Sequence, residues 1–143
     1  MVSAAQAEGW GQFFAATNLN NKSDTNCTLG YYKEFRNDDG SITNPPMAKS
    51  CFAQQRWMAN HCAASSRGTE WDWMNHYWRV SAKDGYGFTD FQNLYKAACG
   101  GTSCSGKDVT WFATSAAAVA TFGTNSAKAI AWSTQSNNFG INF

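Results

Sequence analysis

The fold is decided by Thr69-Glu70-Trp71-Asp72-Trp73-Met74-Asn75-His76-Tyr77-Trp78-Arg79-Val80-Ser81-Ala82-Lys83-Asp84-Gly85. Thr69 offers an N-cap and Asp84-Gly85 a stop, so a helix is expected over 70–83. Trp71, Met74 and Trp78 share one face of that helix, flanked by Tyr77. Trp73, Tyr77 and Val80 make a second apolar edge. Coverage this wide predicts a helix buried on most of its sides.

The flanking segments repeat the helical period. Residues 3–17 read as a helix with Trp10, Phe13, Phe14 and Thr17 on its apolar side, weakened by Gly9 and Gly11. Pro45-Pro46 opens a segment over 46–64 that lines up Cys51, Gln55, Met58 and Cys62. Thr89-Asp90-Phe91-Gln92 has the form of a capping box ahead of Phe91, Leu94, Tyr95 and Ala98. A further helix starts at Asp108, carries Trp111, Phe112, Ser115, Val119 and Phe122, and stops at Gly123. Asn125 or Ser126 caps a last helix with Ala127, Ile130, Ala131 and Thr134. The short turn between these two makes them an antiparallel hairpin, with Trp111 and Trp132 over its ends. One segment differs: Tyr31 to Arg36 alternates, Asn37-Asp38-Asp39-Gly40 is a turn signal, and a small β-hairpin near 30–43 is compatible with it. The expectation is a mainly α fold: a single small domain over 1–143, with five to six short helices around an aromatic core.

Composition says how that core is filled. The chain has 143 residues, with 3 Ile, 3 Leu and 4 Val against 10 Phe, 7 Trp and 5 Tyr. Rings must do most of the work that aliphatic side chains do elsewhere. The formal net charge of +1 gives no electrostatic case for a nucleic-acid partner. No apolar run reaches the roughly 18 residues of a membrane span. Charged residues make up 15% of the chain, and amides and hydroxyls take their place. That surface, with five cysteines, fits a secreted, periplasmic or cell-surface protein. Residues 1–7 read either as a helix start, with Ser3 and Gln6 as its capping box, or as the remnant of a signal peptide ending in Ala5-Gln6-Ala7.

Cys99-Gly100-Gly101-Thr102-Ser103-Cys104 is a short loop suited to a local disulfide. Cys51 and Cys62 return to one helical face but about 16 Å apart along the axis, too far to bond. Cys27 can pair with one of them at most, so one thiol is left free or linked to another chain.

Two functions from different classes follow. In the first, the protein is an exported binding or assembly module, and exposed rings contact a glycan or a protein partner. Trp10, Tyr31, Tyr32, Trp57, Trp73 and Tyr86 are the ring candidates. In the second, it is a small secreted hydrolase of polysaccharide or cell wall. There Glu70 is the general acid, assisted by Asp72 or His76, since carboxyls among rings suit glycan cleavage. Against this, Asp72, His76, Arg79 and Lys83 follow i, i+4, i+7, i+11, the pattern of a solvated face. No metal-ligand spacing, haem attachment or phosphate loop is present, so no cofactor is expected. Oligomerisation is compatible with either function.

Overall fold

The computed structural model describes residues 2–19, 35–36, 42–43, 70–101, 104, 109–139 and 141. Among them are five helices: α1 (Val2–Leu19), α2 (Glu70–Lys83), α3 (Phe88–Ala98), α4 (Trp111–Phe122) and α5 (Ala127–Phe139). Two two-residue strands, β1 (Phe35–Arg36) and β2 (Ile42–Thr43), pair antiparallel, with Phe35 opposite Thr43 and Arg36 opposite Ile42. The rest of 30–43 lies outside the described residues, and a hairpin of the expected extent is not supported. The helix expected over 46–64, with Cys51 and Cys62, also lies outside them, as does Cys27.

Helix α2 is the centre of the described fold. Every side chain from Asp72 to Trp78 is buried, together with Val80 and Ser81. Helix α1 lies along one side of α2 and α5 along another, while α4 packs on both α3 and α5. The core is a continuous set of rings, including Phe13, Trp73, Tyr77, Trp78, Tyr86, Phe91 and Trp132, filled out by Met74, Leu94 and Ile141. Tyr77 stands edge-on to Trp10 at 5.3 Å and to Phe91 at 5.7 Å, and His76 edge-on to Trp132 at 4.4 Å. Edge-to-face pairs bring the positive rim of one ring to the negative face of the next, worth about 0.5–1.5 kcal/mol each beyond area burial. The aliphatic-poor composition is met in this way.

Local chemistry sets the helix ends. Past α2 the chain turns at Gly85, whose φ of +72° favours a residue without a Cβ, and the Asp84 and Tyr86 amides both donate to the Val80 carbonyl. Helix α3 begins two residues before the expected site. Gly87 is its N-cap and Asp90 its third residue, where the carboxylate accepts the Gly87 N–H at 2.8 Å. Asp90 is thus the acidic arm of the cap, and Thr89 lies inside the helix. Thr110 caps α4 by accepting the Ala113 N–H, and Ser126 caps α5 by accepting that of Ala129.

Several faces are turned from where periodicity places them. On α1 the inward row is Gln6, Gly9, Phe13 and Ala16, and Phe14 is exposed. Gln6 sits within α1, with its side chain committed to Tyr95. On α4 Val119 is exposed, and on α5 Ile130 is 55% exposed while Gln135 and Ser136 are buried. Trp132 lies at the middle of the core, against His76, Tyr77 and Tyr86, and does not cover a hairpin end.

Candidate functional site: an aromatic groove between α1 and α3

Helix α3 carries Phe88, Phe91, Gln92 and Tyr95 at i, i+3, i+4 and i+7, so they form one stripe. Helix α1 sets Gln6, Ala7 and Trp10 opposite. Between them is an open groove of about 590 Å³, completed by Cys104 and Val109. This is within the usual range of small-ligand sites. Cys99 directly follows α3, and its disulfide to Cys104 holds the chain at the groove wall. The expected local disulfide is therefore present.

The walls are rings. Trp10 is half-buried and meets Phe91 at 5.1 Å and both Phe88 and Tyr95 at 6.2 Å. Phe88 is 51% exposed and Phe14, 5.8 Å from it, 53% exposed, so the apolar surface continues beyond the groove. Among the described residues, none that lines the groove carries a charge.

The polar groups at the groove form a chain. The Gln6 Nε2 donates to the Tyr95 hydroxyl at 2.9 Å, and the Tyr95 hydroxyl is hydrogen-bonded to that of Tyr77. Burial pushes both phenols above their ordinary range, with their mutual interaction adding to the rise at Tyr77, so both stay protonated. Among the described residues, the groove offers amides and a phenol to a ligand.

The sequence candidates are scattered by the fold. Trp10 is at the groove. Trp73 and Tyr86, expected among exposed rings, are buried in the core, where Trp73 packs on His76 and Tyr77 and the Tyr86 hydroxyl donates to the Lys128 carbonyl at 2.8 Å. Tyr31, Tyr32 and Trp57 lie outside the described residues. Glu70 is the first residue of α2, and its side chain is likewise outside them.

Asp72 and His76 are buried, which corrects the solvated stripe over its first half, while Arg79 is half-buried and Lys83 exposed. Burial lowers the His76 pKa to about 3, opposed weakly by the nearby Gln135 backbone. The imidazole is therefore neutral in ordinary solution, and neither ring nitrogen has a hydrogen-bond partner among the described residues. The same holds for the indole N–H groups of Trp73, Trp78 and Trp132. Neither Asp72 nor His76 lines the groove.

Phe88, Phe91, Tyr95, Gln6 and Gln92 were not singled out as site residues. Their signal is the α3 stripe itself, which periodicity alone assigns to the core. No family model matches the chain, and no curated protein or solved structure does either. Among the described residues no three potential ligands gather to hold a metal, and no helix is long and apolar enough to cross a membrane.

Proposed function

We propose that the protein is an exported binding module whose α1–α3 groove takes a segment of neutral glycan. The observation that carries this is the lining: Trp10, Phe88, Phe91 and Tyr95 around about 590 Å³, with the side-chain amides of Gln6 and Gln92. Rings suit the apolar C–H faces of sugars, and amides suit their hydroxyls. A concave site fits an oligosaccharide better than the flatter core of a protein interface. The Cys99–Cys104 bond and the charge-poor surface support export. Glycan cleavage needs a pair of carboxyls about the scissile bond, and none is among the described residues of the lining.

Isothermal calorimetry with cellohexaose and chitohexaose tests the proposal. At least one is expected to bind, and Phe88→Ala, at a half-exposed ring, should weaken that binding by about tenfold. Absence of binding by both, or binding unchanged in Phe88→Ala and Trp10→Ala, overturns it.

A further inference from the structure

The apolar surface does not end with the groove. Trp10 and Phe14 lie four residues apart on α1, about 6 Å along its axis, and so project from the same side. Phe88, from α3, bridges them: its ring centroid is 6.2 Å from that of Trp10 and 5.8 Å from that of Phe14. Phe88 lines the groove and Phe14 does not, yet the two are about equally open to solvent. Neither belongs to the buried core, and adjoining rings left in water mark a contact surface. Their neighbours on α1 are small. Ala7 and Gly11 are exposed, and a Cβ at Gly11 would meet nothing within 4 Å. Among the described residues, a strip of ring surface thus leaves the groove unobstructed. Each step along it is comparable in length to one pyranose unit.

The ring planes turn along this strip, by 88° between Trp10 and Phe88 and by 63° between Phe88 and Phe14. A crystalline polysaccharide presents a flat face, on which only coplanar rings lie flush. Turned rings instead meet different sides of one chain, and each negative ring face takes C–H groups that carry partial positive charge. Resting on the glycan reading, we infer that the site takes a single, soluble glycan chain of several units, with Phe14 as a further binding residue outside the groove. The groove holds the first units, between Trp10, Phe91 and Phe88, and Phe14 holds the next one along the chain. The ligand class is therefore a polysaccharide strand, and neither a free disaccharide nor the surface of a packed fibre.

The test compares each hexaose with its own disaccharide, cellohexaose with cellobiose and chitohexaose with chitobiose, by calorimetry. In the series that binds, wild type should hold the hexaose about tenfold or more tighter than the disaccharide. Phe14→Ala should weaken the hexaose by about fivefold and change the disaccharide by less than about twofold. Should Phe14→Ala fail to fold, Phe14→Leu, which keeps apolar bulk without the ring, takes its place with the same expectation. Microcrystalline cellulose and crystalline chitin should not deplete the protein from solution. Equal affinity for hexaose and disaccharide overturns the inference and leaves the glycan reading in place. So does hexaose binding unchanged in the Phe14 variant, an equal loss for both ligands, or depletion by either crystalline polymer. Binding of neither hexaose overturns both.

Discussion

His76 has no exposed surface and is packed between Trp73 and Trp132. Its folded pKa of about 3 lies below the ordinary value of 6.5 because burial penalises the charged ring. The unfolded chain therefore binds a proton that the folded chain refuses. Stability is complete above about pH 6.5 and is lost as pH falls toward the folded value, by up to about 1.4 kcal/mol per pH unit. Urea unfolding of wild type at pH 7 and pH 4.5 should show this loss, and His76→Leu should remove most of it. A pH-independent midpoint in wild type would refute the assignment. The pattern Asp72, His76, Arg79, Lys83 could not reveal this. Periodicity says which residues share a face, and the ring that covers His76 comes from α5, far along the chain. Trp73 and Tyr86 were misplaced for a related reason: Trp73 lies on a helix whose sides are mostly covered, and Tyr86, in the turn after α2, is covered by Phe91, Phe122 and Trp132 from α3, α4 and α5.

The elements themselves were more legible than their faces. The end of α2 follows from its glycine stop, while its expected cap, Thr69, lies outside the described residues; of the two caps expected for α5, Asn125 or Ser126, the hydroxyl of Ser126 is the one used. The start of α3 was displaced by two residues because glycine serves as its N-cap, and a glycine carries no side-chain signal there. The Asp90 carboxyl ties this end of α3 to α5: it accepts from Gly87 and pairs with Lys128 at 2.7 Å. Desolvation raises its pKa, but the Lys128 hydrogen bond, the Gly87 N–H and the Lys128 charge outweigh it, and the pKa falls below the ordinary value. The stability it contributes is present above about pH 4, the unfolded value, and is lost as pH drops through the lower folded one. Asp90→Asn should cost at most about 1 kcal/mol at pH 7, since the pair is partly exposed, and the cost should shrink below pH 4. A constant cost from pH 7 to pH 2.5 would exclude a charge-based role. On α5, where Gln135 and Ser136 are buried and Ile130 is not, hydrophobicity points to the wrong face. Ile130→Lys should change stability by no more than about 0.5 kcal/mol in a denaturant titration. A loss of several kcal/mol would show that Ile130 is covered.

At the scale of the molecule, a mainly helical fold with a buried aromatic cluster was readable from composition and period together. The groove was not, because its walls come from α1 and α3, and no local pattern announces that two distant stripes face each other across open space. The Cys99–Cys104 bond closes a loop of six residues, counting both ends, at one wall. Chain-entropy arguments give such a loop about 2 kcal/mol of stabilisation. Cys99→Ser with Cys104→Ser should lower the midpoint of thermal unfolding by several degrees and weaken any groove ligand, since Cys104 is part of the lining. An unchanged melting point would show that the loop is held by other contacts. The distribution of indoles has an optical consequence. Trp73, Trp78 and Trp132 are shielded from water and their N–H groups have no partner among the described residues, so they should emit at the blue end of the tryptophan range. Trp10 borders the groove and meets solvent, so its emission belongs further to the red. Among the described indoles these four therefore act as dyes of two colours, with Trp73, Trp78 and Trp132 registering unfolding and Trp10 registering whatever enters the groove.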